Sequence, residues 1–194
     1  MHRTTQQRII FTGGPSGGKT SIIDMAVRRF GKKLAVVPEA ATILYAGGFP
    51  RKPGPEAMRH IQRAIYYTVR ELEDMTAATS GAPVALCDRG TLDGMAYWPE
   101  GEPGFLSSVG SERGAEFARY ALVLHLRPPR AAQSYQLSGM RVESHKHAME
   151  LDQRIEEVWQ GHPNRFIIDE NSDFLLKANK VLEILDAAVP KLSK

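Results

Sequence analysis

The segment that most constrains the fold of this chain is Gly13-Gly14-Pro15-Ser16-Gly17-Gly18-Lys19-Thr20. It matches G-x-x-x-x-G-K-[ST] at every fixed position, and loops with this pattern hold nucleotide phosphates with their backbone N–H groups. Apolar residues before Thr12 predict a strand, and amphipathic spacing from Lys19 to Phe30 predicts a helix. A strand, this loop and a helix in that order predict a nucleotide-binding domain.

The residue types in this loop indicate which groups would hold a nucleotide. The glycines let backbone N–H groups converge on the phosphates, and the positive end of the following helix points at the same anion. Lys19 is expected to reach the β- and γ-phosphates of a nucleoside triphosphate, and the Thr20 hydroxyl is expected to coordinate Mg²⁺. An incidental glycine-rich turn is the alternative, which the flanking strand and helix disfavour. The predicted binding residues are Gly13, Gly14, Pro15, Ser16, Gly17, Gly18, Lys19, Thr20 and Ser21.

The rest of the chain alternates short apolar segments with amphipathic helical patterns. This alternation predicts one α/β domain over 1–194, with a parallel sheet covered by helices on both faces. The basic, partly irregular stretch at about 127–145 is expected to form a small lid. The pattern on the last helix places Phe174 toward the core. Polar, glycine-rich sequence predicts a loop at 99–110. Strands are predicted at 8–12, 34–37, 82–87, 121–126 and 165–168, and the longer helices at 19–30, 55–78, 112–118, 145–160 and 174–189.

Composition narrows the function classes. The single cysteine excludes an intramolecular disulfide and predicts a reducing, cytoplasmic environment. Apolar runs are only as long as a strand, so no membrane span is expected. Lys and Arg number 25 against 22 Asp and Glu, and this mild excess of +3 suits a phosphorylated small molecule as well as nucleic acid. The partners expected from the motifs are a nucleoside triphosphate and a small-molecule acceptor. No basic stretch alternates with aromatic residues, which disfavours nucleic acid. The sequence leaves open whether the chain forms a homodimer.

Charged residues follow two of the predicted strands, at the sheet edge where open α/β folds bind ligands. Asp88 ends a buried strand and is predicted to bind the metal with Thr20; the alternative is a cap on the next turn. Arg89 follows it and is predicted to bind a substrate phosphate, the alternative being a surface arginine. Glu39 either accepts the proton of an attacking hydroxyl or caps the helix that follows.

Basic residues after the fourth strand are candidates for a lid that neutralises charge developing on a transferred phosphate. Arg141 is preferred among Arg127, Arg130 and Arg141, with a solvated basic loop as the alternative. The predicted catalytic set is therefore Lys19, Asp88, Arg89, Arg141 and Glu39. Tyr66 and Tyr67 belong either to the core or to a pocket for the acceptor, and Gln62, one turn earlier, is a further candidate for that pocket.

Together these segments resemble a known group of proteins. The phosphate loop at 13–20, Pro38-Glu39-Ala40-Ala41, Asp88-Arg89-Gly90 followed by Asp93, and Arg141-x-Glu143 occur in a characteristic order. The chain resembles a small P-loop family described as AAA-domain proteins or predicted ATPase/kinases. It is similar to the ribosylnicotinamide kinase domain of NadR-type regulators, and more distantly to deoxynucleoside and thymidylate kinases.

The resemblance implies a fold and an activity. The implied fold is the three-layer P-loop kinase fold, with a five-stranded parallel sheet in the order 2-3-1-4-5 and MgATP bound at Gly13–Thr20. Asp88 and Arg89 stand where nucleoside kinases carry an acidic residue and an arginine, and Gly90 stands where they commonly carry Ser or Tyr. The implied activity is Mg-ATP-dependent phosphoryl transfer to a small hydroxyl-bearing metabolite, nucleoside- or nucleotide-like. The alternative is an ATP- or GTP-binding regulatory switch with slow hydrolysis.

Overall fold

The computed structural model describes residues 6–129, 145–169 and 173–189. Within these ranges lie five strands, seven α-helices and two short 3₁₀ helices at Gly31–Lys33 and Asp93–Tyr97. In chain order the strands and α-helices are β1 Gln7–Thr12, α1 Lys19–Phe30, β2 Leu34–Val37, α2 Ala40–Ala46, α3 Pro55–Thr79, β3 Val84–Asp88, α4 Glu102–Val109, α5 Arg113–Phe117, β4 Leu122–Leu126, α6 His145–Val158, β5 Arg165–Ile168 and α7 Phe174–Ala188.

The five strands form one parallel sheet in the order β2-β3-β1-β4-β5, which confirms the predicted topology. β1 lies at the centre, where Ile10 pairs with Cys87 of β3 and with Val123 of β4. β3 and β4 are buried along their whole length because helices cover both faces of the sheet. The carboxyl ends of β1, β2 and β3 therefore meet at one edge, which brings the segments after Thr12, Val37 and Asp88 together.

Alternate residues of the central strand enter two separate cores. Ile9 and Phe11 pack against α1 and α7, whereas Ile10 faces the side of the sheet that α3 and α6 cover. This alternation follows from the two-residue period of a strand. Both helical layers are thus fixed to the strand that leads directly into the phosphate loop.

Two local predictions are wrong. The predicted loop at 99–110 contains α4, because Phe105 and Val109 lie one turn apart and both are buried. Phe105 packs edge-on against Tyr66 and Trp98, and this tertiary contact was hidden by the polar sequence around it. Phe174 is 44% exposed rather than in the core, since the buried face of α7 begins at Lys177 and Ala178.

Gly90 lies where two buried side chains leave no room for another carbon. A Cβ there would come within 2.7 Å of both Ile10 Cδ1 and Trp159 Cζ2. Gly90→Ala is therefore expected to lower the free energy of unfolding by about 1–3 kcal/mol through overpacking. Urea denaturation measures this effect.

Gly114→Ala is the matched control for that variant. Gly114 lies in α5, and apart from its two chain neighbours and the backbone of its own helix no described atom lies within 4 Å of the position its Cβ would take. The added methyl group should raise stability by about 0.5–1 kcal/mol, the usual difference between Ala and Gly in a helix. Equal stabilities of wild type and Gly90→Ala would contradict the packing argument.

Candidate active site

The phosphate loop packs against Leu126 of β4 and leads into the start of α1. Gly13 has φ +113°, and a Cβ on it would lie 2.3 Å from the carbonyl oxygen of Leu126, so only glycine fits here. Gly18 has φ +84° and precedes α1 without any side chain capping the first turn. The N-terminal amides of α1 thus have no side-chain partner from the capping residue, as an anion site at a helix N-terminus requires.

Lys19 lies inside the loop instead of extending into solvent. Its side chain is buried, and Nζ donates hydrogen bonds to the carbonyl oxygens of Gly13 at 3.1 Å and Gly14 at 2.7 Å. The ammonium group is therefore held beside the amides that open α1. This arrangement fits the predicted role of Lys19 in binding phosphate oxygens.

The two predicted metal ligands lie in direct contact. The Thr20 hydroxyl donates a hydrogen bond to Asp88 Oδ2 at 2.8 Å, which joins the start of α1 to the end of β3. A hydroxyl and a carboxylate oxygen are hard donors of the kind that Mg²⁺ accepts alongside water and phosphate. The donor set fits Mg²⁺, and the assignment of this ion to Thr20 and Asp88 stays a prediction.

Arg89 adopts an uncommon backbone conformation next to the loop. Its φ of +85° is unusual for a residue with a side chain and costs of order 1 kcal/mol or more. The guanidinium is buried, and its Nη1 group donates to the carbonyl oxygen of Gly13 at 2.7 Å. The alternative of a surface arginine does not describe this residue, whereas its predicted contact with a substrate stays untested.

Neighbouring acidic groups keep Arg89 charged. Burial alone would lower the pKa of this guanidinium, but Tyr97, Glu39, Asp93 and Asp88 outweigh burial and raise the pKa. Glu39 Oε1 lies 3.3 Å from Nε, and Asp93 Oδ2 lies 3.4 Å from Nη1. A permanent positive charge is thus fixed beside the phosphate loop.

Asp93 connects Arg89 to the core. Its carboxylate accepts the Thr12 hydroxyl at 2.8 Å and the Trp159 indole N–H at 2.7 Å, in addition to its contact with Arg89. Asp93 is buried, so these partners offset the cost of removing its charge from water. From the sequence, Asp93 was noted only among the segments that resemble a known family, and no role in the site was predicted for it.

Glu39 lies two residues after the end of β2 and directly precedes α2. Its side chain makes no capping hydrogen bond to the backbone of α2, so the cap alternative is not what the structure describes. Its carboxylate accepts the Thr42 hydroxyl at 2.5 Å and faces Arg89. The role of Glu39 as a proton acceptor stays a prediction.

A cavity of about 400 Å³ lies beside these charged residues, between α2, α3 and the 3₁₀ helix at Asp93–Tyr97. Gln62 lines this cavity. Tyr66 lies in the core, which was its alternative, with its hydroxyl donating to Glu116, and Tyr67 is half exposed. Pro15 of the phosphate loop forms part of the wall. The cavity, named here the acceptor pocket, is lined by Pro15, Glu39, Met58, Gln62, Arg89, Asp93, Tyr97 and His147, among others.

Most of the predicted lid, residues 130–144, lies outside the described residues. Arg141 and Arg130 lie outside the described residues, so the role given to Arg141 stays a prediction. Arg127 is described, and it pairs with Glu156 at 2.5 Å on a side of the molecule that does not line the acceptor pocket.

Sequence reasoning missed one residue that contacts the loop from behind. Asp152 lies on α6, and its Oδ1 atom accepts the backbone N–H of Gly14 at 2.6 Å. Its signal in the sequence is a carboxylate in the middle of an apolar helical face, since Ala148, Leu151 and Ile155 around it are all fully buried. A charge at such a position indicates a specific polar partner.

A known protein family matches the part of the chain that contains these residues. The sequence profile of the family described as "AAA domain" matches residues 8–174, a range that contains the phosphate loop, Glu39, Asp88 and Arg89. The match covers most of the chain. The chain belongs to the AAA domain family.

Solved structures show the same fold as this AAA domain. A crystal structure of NadR protein in complex with NR matches with a TM-score of 0.68 and 14% identity, over 99% of this chain. A structure of NadR in complex with NAD and AMP-PNP matches with a TM-score of 0.64 and 13% identity. Deoxyadenosine kinase from M. mycoides with bound dATP matches with a TM-score of 0.63 and 12% identity, over 93% of this chain and 100% of the kinase. The fold is that of P-loop kinases, with the sheet order expected for it.

The extent of these matches differs between the two relatives. This AAA domain spans about half the length of the NadR proteins, 52% and 53% of them. Comparison with the sequences of curated proteins finds no match. Among the described residues, none of the helices combines the length and the apolar character needed to cross a membrane.

Proposed function

We propose that this AAA domain protein is a Mg-ATP-dependent phosphotransferase that acts on a hydroxyl group of a small nucleoside- or nucleotide-like metabolite. The observation that carries the proposal is the position of the acceptor pocket. It shares Pro15 with the phosphate loop and has Glu39 and Arg89 in its wall. A carboxylate and a fixed cation thus lie at the point where an acceptor hydroxyl would meet a terminal phosphate. A structure of the same fold holds AMP-PNP, an analogue of ATP, which supports ATP as the donor.

Each charged residue has a task in such a transfer. Lys19 and Mg²⁺ held by Thr20 and Asp88 would neutralise the phosphates, and the buried charge of Arg89 would stabilise charge that develops on the transferred group. Glu39 would accept the proton of the attacking hydroxyl. Most of the catalysis is then positioning and electrostatic stabilisation, as in other phosphoryl transfers.

The wall of the acceptor pocket indicates the kind of acceptor. The carboxylates of Glu39 and Asp93 and the guanidinium groups of Arg51 and Arg89 line it, so its charged groups balance. Farther from the loop, Gln62 offers an amide that can both donate and accept hydrogen bonds, and Met58 and Tyr97 offer apolar surface. A neutral hydroxyl on a planar heterocyclic compound fits these groups, and about 400 Å³ is within the usual range for small ligands.

Two experiments test this function in sequence. Thermal shift with MgATP, MgGTP, MgADP and MgGDP should show a nucleotide-dependent rise in Tm, because a ligand that binds only the folded state stabilises it. The preferred triphosphate is then incubated with a panel of nucleosides and cofactor precursors, and phosphorylated products are sought by mass spectrometry. Transfer to one compound supports the proposal and identifies the acceptor. Tight nucleotide binding without transfer to any compound would favour the regulatory switch instead.

A further inference from the structure

We propose that Asp152 is a positioning residue of the phosphate loop, which holds the Gly13–Gly14 peptide in the orientation that nucleotide binding needs. This inference rests on the proposed function only to the extent that the loop binds a nucleoside triphosphate. It gives a task to a buried carboxylate that neither the loop motif nor the acceptor pocket explains.

The contacts of Asp152 converge on a single oxygen. Oδ1 accepts the backbone N–H of Gly14 at 2.6 Å, and His125 Nε2 lies 3.0 Å from the same atom. Asp152 is 1% exposed and His125 is fully buried at the end of β4, so water replaces neither contact. With the proton on Nε2, His125 donates to this oxygen and holds the carboxylate in place. Loss of Asp152 would leave two buried donors unsatisfied, which is costly.

The same peptide group is held from its other side by the catalytic cations. The N–H of Gly14 and the carbonyl oxygen of Gly13 belong to one planar peptide unit. The carbonyl oxygen of Gly13 accepts hydrogen bonds from Lys19 Nζ at 3.1 Å and from Arg89 Nη1 at 2.7 Å. Because the unit is rigid, the bond to Asp152 also fixes the direction of the oxygen that positions Lys19 and Arg89.

The Gly13–Gly14 peptide is closely packed between α6 and β4. A Cβ on Gly14 would lie 2.9 Å from Asp152 Cβ and 3.1 Å from the carbonyl oxygen of Ala148, so α6 contacts the loop directly. Gly13 contacts Leu126 of β4 as closely. The loop is thus enclosed between β4 and α6, and Asp152 supplies the polar contact of that enclosure.

The test compares three substitutions at position 152 by calorimetric titration with MgATP. Asp152→Ala should weaken binding by about tenfold or more, because the peptide loses its acceptor. Asp152→Asn should bind within about threefold of wild type, because its amide oxygen has two lone pairs and can accept both donors. Asp152→Glu keeps the charge but moves the oxygen by one methylene group, so it should bind more weakly than Asp152→Asn. The Asn and Glu variants keep the comparison decisive if the Ala variant does not fold.

Ile155→Val is the matched control on the same helix. Ile155 is fully buried in the core beneath α6, and its truncation should lower Tm while leaving the affinity for MgATP unchanged. Wild-type affinity in folded Asp152→Ala, or an affinity loss in Ile155→Val that scales with its loss of Tm, would overturn the positioning role. A wild type that binds MgATP but phosphorylates no acceptor would refute the proposed function alone, since the titration needs no transfer. A wild type that binds no nucleotide would refute both.

Discussion

Lys19→Ala is expected to weaken the binding of MgATP by about 100-fold or more, since a hydrogen bond to a charged group contributes roughly 1.5–3 kcal/mol and Lys19 would contact two phosphates. In the structure its ammonium group is buried and bonded to the loop carbonyls of Gly13 and Gly14. It therefore reaches the phosphate position with little loss of side-chain freedom, and alanine leaves that position without a cation. Phosphate transfer should fall to background. Calorimetric titration with MgATP and a transfer assay measure the two effects.

Lys32→Ala is the control for the change in net charge. Lys32 is exposed in the 3₁₀ helix after α1, away from the acceptor pocket, and its removal lowers the net charge by the same amount. Its affinity for MgATP should match that of wild type. Thermal denaturation should show that Lys19→Ala remains folded, because the core does not depend on this side chain. Normal binding of MgATP by Lys19→Ala would show that the loop is not the nucleotide site.

The fold was predictable because its signals are local. The phosphate loop, the bounds of α1 and β2 and the parallel sheet all follow from apolar spacing and glycine positions that neighbouring residues determine. α4 was not predictable, since its two buried residues gain their partners from α3 and from Trp98. Such contacts join segments that are distant in the sequence.

The candidate site divides in the same way. Lys19, Thr20 and Asp88 were identified from a motif and a strand end, and the structure brings the last two within hydrogen-bond distance. The contacts of Asp93 with Trp159 and of Asp152 with Gly14 join residues 66 and 138 positions apart. A single sequence gives no evidence of such pairs, although a charge on an apolar helical face marks where one is needed.

α6 contacts both the acceptor pocket and the phosphate loop. His147 lines the acceptor pocket, Asp152 binds the phosphate loop, and Trp159, directly after the helix, donates to Asp93 beside Arg89. A shift of this one helix would therefore act on the acceptor, the nucleotide loop and the fixed cation together. The predicted lid at about 127–145 leads directly into α6, so we expect substitutions in the lid to alter the affinity for both substrates.

Glu39→Gln is expected to lower kcat by about 10²- to 10⁴-fold, the usual contribution of a general base, while the affinity for MgATP stays within about threefold of wild type. The amide that replaces the carboxylate keeps one oxygen for Arg89 Nε, and its NH₂ group can donate to the Thr42 hydroxyl, but the amide cannot take a proton. The geometry of Arg89 should therefore survive, and the loss should fall on the chemical step. Steady-state kinetics with the acceptor identified by the panel, together with the MgATP titration, separate the two quantities.

Thr42→Val distinguishes a base from a residue that only positions Arg89. It removes the hydroxyl that donates to Glu39 and keeps the carboxylate and the approximate volume of the side chain. If Glu39 is the base, Thr42→Val should retain most of the kcat, because the carboxylate remains free to accept a proton and to pair with Arg89. If Glu39 acts only through Arg89, Glu39→Gln should also retain most of its rate, since the neutral oxygen still accepts from the guanidinium. A large loss in Glu39→Gln with a small loss in Thr42→Val thus assigns the proton transfer to Glu39, and near-equal rates in both variants would refute that assignment.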